Sequence, residues 1–386
     1  MTGLQAGFER RVQAALEAAP SRIPVILGGC GAGRTSLLQR LRERAGRGSS
    51  QYIDIERCAT TPERFLDAVV ASSPFPPVPR PDARPANARE AFDLLLAFFD
   101  TSRAPGGAPA TFLLDEVLEL RTFESFPGLR HVLRDLLEAL SGSANRFVMS
   151  SRYVARAHRL LRDASARFEV MHLPPLAAAD VTAMLAPAFN GYEQMATDDR
   201  DYLGRAVQAL ADGRAAYVHA LGEQMARMGA GAADPISALT ALLSPGGALT
   251  GWCRFCYELR LHRARGYGAL KAILDILADE EPLTLTEISH RLRRTPGSTK
   301  DYLSWLEDVD LVTSRQKRYS FTDPLLRLWV RLHCRPAPPA EEDVVREVQR
   351  YAVGRVPQPE PVPALAFAGG EPTPEERKNW GIIEID

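Results

Sequence analysis

Mostly apolar runs alternate, along the first half of the chain, with longer stretches whose apolar positions recur every three or four residues. Five such runs lie at Ile23–Leu27, Gln51–Ile55, Ala110–Glu116, Arg146–Met149 and Phe168–Leu173. Runs of this length are typical of strands buried on both faces. Because helical stretches separate them, the pattern predicts a doubly wound, parallel α/β sheet.

The intervening and following stretches predict helices. In the first half these lie at Leu4–Ala19, Pro62–Ala71, Asn87–Phe99 and Leu129–Leu140. From Ala178 to Ala264 the chain has almost entirely helical periodicity. Three helices, a hairpin and a fourth helix are then predicted at Tyr267–Asp279, Thr284–Arg293, Pro296–Val309, Leu311–Phe321 and Pro324–His333. Three helices followed by a hairpin are the winged-helix arrangement.

Composition is that of an ordinary globular protein. The chain has 386 residues, enough for two or three domains, with 45% hydrophobic residues, 25% charged residues and a net charge of −1. Without a basic excess the whole molecule is not a nucleic-acid binder, so any such surface must be local. No apolar run approaches the roughly 20 residues of a membrane span, and no signal-peptide core is present. We therefore expect no membrane contact and a cytoplasmic location.

The five cysteines are an odd number, which suits a reducing compartment. Cys253 and Cys256 have CxxC spacing, but neither a second pair nor a histidine cluster accompanies them. We interpret them as structural residues of a helix. Cys30 lies in a glycine-rich loop, where a redox role is conceivable.

That loop carries the clearest chemical signal. The sequence from Gly28 to Thr35 fits the phosphate-binding pattern G-x-x-x-x-G-K-[ST], except that Arg34 replaces lysine. The glycines let successive backbone N–H groups curl around an anion, and the following helix adds its positive dipole end. We predict that Thr35 offers its hydroxyl to Mg²⁺. The predicted nucleotide-binding residues of the loop are Gly28, Gly31, Gly33, Arg34, Thr35 and Ser36.

Arg34 leaves two interpretations open. A guanidinium is larger and more forked than an ammonium, so it keeps the charge but places it less well for phosphoryl transfer. Only four of the 47 basic residues are lysine, however, so arginine also fits compositional drift. Nucleotide binding is the prediction, with Arg34 assigned to the β- and γ-phosphates, and competent hydrolysis stays open. A strand-to-helix turn without a ligand is the alternative.

Two acids follow the apolar strand that begins near Ala110. Asp115 and Glu116 would lie at the carboxyl end of a buried parallel strand, where ligands bind in open α/β sheets. We predict that Asp115 holds Mg²⁺ together with Thr35. Glu116 is predicted to polarise the water that attacks the γ-phosphate.

Arg152 follows the next strand, after Ser150 and Ser151. A guanidinium at this edge of the sheet can bond a γ-phosphate oxygen bidentately, so we assign it a catalytic role with Glu116 and Arg34. The alternative is a solvated arginine at a helix start.

The order of these motifs resembles the STAND branch of the AAA+-related P-loop ATPases, above all the archaeal-type ATPases that end in a winged helix. The resemblance implies ATP and Mg²⁺ as cofactors and a switch in which bound triphosphate closes the lid and winged helix against the core. It divides the chain into a nucleotide-binding core (1–177), a helical lid and connector (178–264), a winged-helix domain (265–335) and an acidic, proline-rich, partly disordered tail (336–386).

The resemblance also suggests further contacts. Gly213-Arg214-Ala215 stands where the family has a glycine-x-proline that contacts adenine, so Gly213 is carried over as a nucleotide contact although Ala215 departs from the pattern. Adenine and guanine therefore both remain open. Oligomerisation on ATP binding is a further expectation from the family.

The predicted winged helix has a local basic excess. Residues 284–335 contain ten basic and six acidic side chains. Candidate DNA contacts are Lys300, Arg315, Lys317 and Arg318. The helix that begins near Thr295 lacks residues suited to reading bases, and an intramolecular clamp on the nucleotide domain is the alternative use of this module.

The tail carries ten acidic and five basic residues from Ala337 onward, and alternating apolar positions close it at Trp380–Asp386. Such a segment could add a strand to the sheet of a protein partner or fold back on its own domain. Our hypothesis is an ATP-binding molecular switch with slow Mg²⁺-dependent hydrolysis. The alternatives are a catalytically weak nucleotide-binding scaffold and a DNA-binding regulator with a vestigial ATPase core.

Overall fold

The computed structural model describes residues 4–76, 85–186, 195–229, 234–262, 264 and 266–357. The predicted tail lies outside the described residues from position 358 onward, and so does its alternating apolar segment at Trp380–Asp386. Within the described ranges, no helix is both long enough and apolar enough to cross a membrane.

A five-stranded parallel sheet forms the centre of the first half. Its strands are β1 (Ile23–Leu27), β2 (Ser50–Asp54), β3 (Thr111–Asp115), β4 (Arg146–Ser151) and β5 (Phe168–His172). They lie in the order β2-β3-β4-β1-β5, and all neighbours run parallel. β1 and β3 are buried at every residue, as their apolar runs predict. The α/β class predicted from the alternating pattern is confirmed.

Helices cover both faces of this sheet. They are α1 (Leu4–Glu17), α2 (Arg34–Ala45), α3 (Ile55–Cys58), α4 (Pro62–Ala71), α5 (Ala88–Thr101), α6 (Val132–Gly142) and α7 (Val154–Leu161), with 3₁₀ helices at Pro105–Gly107 and Val117–Ser125. Local capping explains some of their starts: the side chains of Thr61 and Asn87 accept backbone N–H bonds at the first turns of α4 and α5. One face packs α1 and α2 against Ile26, Leu113 and Val148.

Five helices follow the sheet, namely α8 (Ala178–Leu185), α9 (Thr197–Leu210), α10 (Ala215–Met228), α11 (Pro235–Leu243) and α12 (Ala248–His262). The helical stretch predicted from Pro235 to Ala264 contains two helices. Gly247 donates to the carbonyl of Ser244, and Gly246 has a positive φ of 82°, so the backbone turns there.

The last part of the described chain contains α13 (Tyr267–Asp279), β6 (Leu283–Thr284), α14 (Leu285–Leu292), α15 (Pro296–Asp308), β7 (Val312–Arg315), β8 (Arg318–Phe321), α16 (Pro324–His333) and α17 (Glu341–Val353). We call residues 267–333 the hairpin unit. Its strands form an antiparallel sheet in the order β6-β8-β7. Gln316 and Lys317 both have positive φ, as a two-residue hairpin turn requires.

One hydrophobic core runs from the sheet through the later helices into the hairpin unit. It includes Phe112 and Phe147 of the sheet, Leu221 of α10, and Leu274 and Leu326 of the hairpin unit. Because these apolar side chains form one connected cluster, the hairpin unit is packed onto the rest of the chain. The carboxyl ends of the parallel strands meet at one edge of the sheet, where Asp54 lies opposite Asp115.

Candidate nucleotide-binding site

A cleft opens at the carboxyl edge of the sheet, between the glycine-rich loop and the helices α8, α10 and α12. Its volume is about 570 Å³. Residues 30–36 line one side of the cleft, Asp115, Glu116 and Arg152 line the strand ends, and Ala215 and Ala216 close it from α10. Clefts of this size at such an edge are typical of ligand sites in α/β folds.

The glycine-rich loop is fitted closely under the first turn of α10. Gly31 and Gly33 have φ of 75° and 97°, and a Cβ on either would come within 3.1 and 3.2 Å of the Cβ atoms of Ala216 and Ala215. The N–H of Ala216 also donates to the carbonyl of Gly31 at 3.0 Å. Both the conformation and the close approach therefore require glycine at these two positions.

The loop leads directly into α2, whose first residue is Arg34. Gly33 is the N-cap and has no side chain, so the first N–H groups of α2 have no side-chain cap among the described residues. Thr35 and Ser36 of this first turn line the cleft. A helix N-terminus of this kind presents free donors and a positive dipole end to an anion.

Arg34 is turned back onto the loop. Its Nη1 donates to the carbonyl oxygens of Gly28 and Gly29, and its Nη2 donates to Oε1 of Glu116. Its side chain is buried, and the residue still lines the cleft. The guanidinium predicted for the phosphates is therefore held by protein partners in this structure.

Three hydroxyl groups surround Asp115. Thr35 Oγ1 and Tyr52 OH donate to Oδ2 at 2.7 and 2.8 Å, and Ser150 Oγ donates to Oδ1. The predicted pair of Thr35 and Asp115 is thus brought together. Burial, followed by the charge of Asp115, raises the pKa of Tyr52, so its phenol remains a proton donor. The hydroxyl oxygen of Thr35 and the carboxylate oxygens of Asp115 lie side by side at the edge of the cleft. They fit the preference of Mg²⁺ for hard oxygen ligands.

Glu116 lies between two arginines. Besides Arg34, the Nε of Arg152 lies 3.1 Å from Oε1, and the backbone N–H of Arg152 donates to Oε2 at 3.1 Å. Glu116 has a positive φ of 57°, and its own N–H donates to Ser150 Oγ at 3.1 Å. Burial opposes ionisation, but the charges of Arg34 and Arg152 prevail and hold the pKa of Glu116 below its usual value.

Arg152 joins this cluster to α3. Its Nη2 donates to Glu56, which also lines the cleft, so two carboxylates share one guanidinium. Burial favours the neutral form, yet the charge of Glu116 outweighs it and raises the pKa of Arg152. Arg152 is buried and paired, which differs from the solvated arginine considered as the alternative.

Two other predicted residues lie behind the cleft wall. Gly28 is outside the set of described residues that line the cleft, although its carbonyl accepts from Arg34. Gly213 has a φ of 62°, and a Cβ there would come within 2.7 Å of Pro175 Cβ and 2.9 Å of the Leu176 carbonyl. Its own carbonyl accepts from Leu176 N–H at 2.8 Å. The structure thus gives Gly213 a turn-forming role beside the cleft.

Several lining residues were not singled out for the site from the sequence. Met184, His219, Trp252, Phe255 and Cys256 come from α8, α10 and α12. Trp252 and Phe255 are 39% and 59% exposed, although both are large and apolar. Helical periodicity alone could not place them at the site, because their position depends on how α12 packs against the loop.

A second buried cluster lies on the opposite side of the loop. Arg214 donates from Nη1 to the carbonyl of Cys30 and from Nη2 to the carbonyl of Thr322, each at 2.9 Å. The same Nη1 is 3.5 Å from Oδ2 of Asp323, which also accepts from Tyr217 OH at 2.8 Å. Asp323 caps α16 through Oδ1, so one arginine connects the loop with the start of that helix.

Arg260 and Asp310 extend this cluster. The Nη1 of Arg260 donates to the backbone carbonyl of Asp310 at 2.8 Å, and both residues are buried. Asp310 has a positive φ of 57°, and its Oδ2 lies 3.3 Å from where a Cβ on Gly29 would be. Burial raises the pKa of Asp310 to about 7, although Arg260 and Arg214 act in the opposite direction.

The candidate DNA contacts lie on the surface of the hairpin unit. Lys300, Arg315, Lys317 and Arg318 are all exposed. Arg315 and Arg318 face each other across the hairpin, and Arg318 also donates to the carbonyl of Pro282 at 3.1 Å. On another side of the unit, Asp308 of α15 pairs with Arg159 of α7.

No protein-family model and no curated protein sequence matches this chain. Among solved structures, the Walker-type ATPase PABY2304 of Pyrococcus abyssi is similar, with a TM-score of 0.62 and 19% identity over 84% of this chain and 94% of that chain. The Orc1 protein of Aeropyrum pernix in complex with DNA has a TM-score of 0.44 and 17% identity over 91% of this chain and 93% of its own. The similarity to the first of these is one of fold. The chain has a P-loop NTPase fold, in which a parallel five-stranded sheet is followed by a helical C-terminal region.

Proposed function

We propose that this chain binds ATP with Mg²⁺ in the cleft, hydrolyses it slowly and acts as a molecular switch. The observation that supports ATP most directly is the junction of the loop and α2, where free N–H groups meet the paired Thr35 and Asp115. Thr35 and Asp115 would hold Mg²⁺, which supplies neutralising charge to the phosphate oxygens.

The arrangement of Glu116 supports slow hydrolysis. Its carboxylate is held by Arg34 and Arg152, and a carboxylate in two ion pairs is a poor base for water. The γ-phosphate is a competing anion for both guanidiniums. When the arginines turn to it, Glu116 is released to orient the attacking water. Because Arg34 must first leave the carbonyls of Gly28 and Gly29, we expect turnover to be slow.

Arg214 supports the switch. It bonds the loop at Cys30 and the hairpin unit at Thr322 and Asp323, so a change in the loop alters the contacts that hold the unit. A ligand shifts such an equilibrium only through contacts that differ between the two states. Here the differing contact is the Cys30 carbonyl, which belongs to the phosphate-binding loop. We propose that the hairpin unit is a winged helix that reports the state of the nucleotide.

A second candidate is a nucleotide-binding scaffold without turnover, and the position of Arg34 favours it. A guanidinium engaged with two carbonyls and a carboxylate is a stable arrangement that hydrolysis would have to disrupt. A DNA-binding regulator is the third, because the exposed Lys300 and Lys317 suit phosphate contacts. In both alternatives the hairpin unit, the tail, or both would engage partners.

The test is nucleotide binding and turnover with Mg²⁺ for the wild type, Glu116→Gln and Arg34→Lys. Wild-type turnover that is lost in Glu116→Gln while ATP binding persists would support the switch. Binding without turnover in the wild type, together with activity gained in Arg34→Lys, would favour the scaffold. Salt-sensitive DNA binding without ATP binding would favour the regulator, and no binding of ATP by any variant would overturn the proposal.

A further inference from the structure

Two thiols from distant parts of the chain meet at the wall of the cleft. Cys30 is in the glycine-rich loop and Cys256 is on α12, 226 positions later in the numbering. Both line the cleft, where the two thiols are near enough to change each other's pKa. The CxxC spacing pairs Cys256 with Cys253 instead, but the side chain of Cys253 is completely buried and outside the cleft lining.

Three buried guanidinium groups lie near Cys30. The positive charges of Arg260, Arg152 and Arg34 all lower the pKa of its thiol. Arg260 is 1% exposed, and its Nε and Nη2 have no hydrogen-bond partner among the described residues. A buried cation without full pairing favours a neighbouring anion. The neighbouring Cys256 thiol, followed by these charges, therefore holds the pKa of Cys30 well below its usual value, whereas that of Cys256 is raised.

A thiol with a lowered pKa that lies beside a thiol with a raised pKa is typical of a reactive thiolate and its resolving partner. Thiolates, not thiols, attack peroxides, and redox-sensitive cysteines combine cationic surroundings, access and a second cysteine. Cys30 is buried within the wall but lies on the cleft, which admits a small oxidant. Of the neighbouring arginines, Arg34 and Arg152 are also the side chains proposed above to bind phosphate.

We propose that Cys30 is a peroxide-reactive thiol, that Cys256 is its resolving partner, and that the disulfide between them locks the glycine-rich loop onto α12. The oxidant is a hydroperoxide, with hydrogen peroxide as the simplest member. The oxidation of the two thiols does not require bound nucleotide. Its effect on ATP affinity rests on the function proposed above.

The chemistry balances with one peroxide. The Cys30 thiolate attacks one peroxide oxygen, the O–O bond breaks, and the departing hydroxide takes a proton to become water. Cys30 is then a sulfenic acid. The Cys256 sulfur attacks the Cys30 sulfur, the S–O bond breaks, and hydroxide leaves with the thiol proton as a second water. Two thiols have given two electrons to the peroxide.

A disulfide at this place would hold the loop in its present arrangement. Here the carbonyl of Cys30 is bonded to Arg214, and those of Gly28 and Gly29 are bonded to Arg34. Phosphate binding requires Arg34 to leave these carbonyls. A covalent tie from Cys30 to α12 restricts that change, so the oxidised chain should bind MgATP at least tenfold more weakly, and dithiothreitol should restore binding.

The experiment treats the reduced full-length chain with hydrogen peroxide, blocks free thiols and maps disulfide-linked peptides by mass spectrometry. The expected product is the Cys30–Cys256 link in the wild type and in Cys253→Ser, and no such link in Cys256→Ser. Cys253→Ser is a matched control because its position lies one turn earlier on the same helix. Thermal melts establish that each variant is folded.

A wild-type chain that forms no Cys30–Cys256 link, or in which Cys30 is overoxidised without forming it, overturns the inference whatever the variants do. MgATP affinity is measured separately on reduced and oxidised protein. If the link forms but the reduced chain binds no ATP, the thiol pair stands and the proposed function fails. If the reduced chain binds ATP but no link forms, the proposed function stands and the thiol pair fails. A link that leaves ATP affinity unchanged overturns the lock.

Discussion

Two buried ionic clusters flank the same glycine-rich loop, and they differ in what they connect. On the sheet side, Arg34, Glu116 and Arg152 all come from the ends of core elements. On the other side, Arg214 connects the loop to Asp323, more than a hundred positions further along the chain. The first cluster is arranged where phosphate charge would compete for the arginines, whereas the second holds the hairpin unit. Under the function proposed above, ATP hydrolysis and coupling to the hairpin unit are separated across one loop.

The largest effect that separates the clusters is expected at Glu116. Glu116→Gln keeps the shape and removes the charge that orients water, so ATP turnover should fall by about 10²–10⁴-fold. ATP affinity should be kept or increased, because Arg34 and Arg152 lose a competing carboxylate. Steady-state turnover and equilibrium binding of MgATP measure the two quantities. Turnover within a factor of three of the wild type would remove Glu116 from the chemistry.

The corresponding change in the second cluster is Asp323→Ala. It removes the N-cap of α16, the buried carboxylate beside Arg214 and the acceptor of the Tyr217 hydroxyl, so the free energy of unfolding should fall by about 4 kcal/mol. Denaturant unfolding measures this loss. The matched control is Asp308→Ala, which breaks the exposed pair with Arg159 and should lower it by less than about 1 kcal/mol. Equal effects at the two positions would contradict a special role for the Arg214 connection.

Asp310 makes the second cluster sensitive to pH. Its pKa is about 7 in the folded chain and about 4 in an unfolded one, so the unfolded state releases this proton first as pH rises. The folded state therefore loses stability between those values, by about 2 kcal/mol from pH 5 to pH 7. Asp310→Asn, which tolerates the positive φ at this position, should remove that part of the pH dependence. Unfolding curves of both proteins across this range are the measurement, and identical pH profiles would refute the assignment.

The smallest effect is expected at Arg34. Arg34→Lys replaces a guanidinium group that is hydrogen-bonded to Gly28, Gly29 and Glu116 with a compact ammonium group. Because the ammonium group leaves these partners more easily, ATP turnover should rise about tenfold. The effect should be confined to the first cluster, with the free energy of unfolding of the hairpin unit unchanged. A turnover assay beside a thermal melt checks both points. A fall in turnover would show that the guanidinium is the better phosphate ligand in this loop.

Local sequence predicted most of the fold because the periodicities are strong. The parallel sheet and the order of the helices and hairpin in the last third follow from short apolar runs, proline and glycine positions and caps such as Thr61 and Asn87. The helical stretch predicted between Pro235 and Ala264 divides into two helices at Gly246, which follows Pro245 and has a positive φ. The proposed assignments of lid, tail and DNA contacts remain predictions.

For the candidate site, the sequence by itself determined the loop, the acids at the end of β3 and the residues that follow β4, because consecutive positions place them at one edge of a parallel sheet. Only the tertiary structure decided that Arg34 bonds Glu116, that Arg214 reaches Asp323 and that Cys30 meets Cys256. Each of these contacts joins residues at least 80 positions apart. Periodicity reports which face of an element is buried, but not which distant element will cover it, and that choice depends on how the whole core packs.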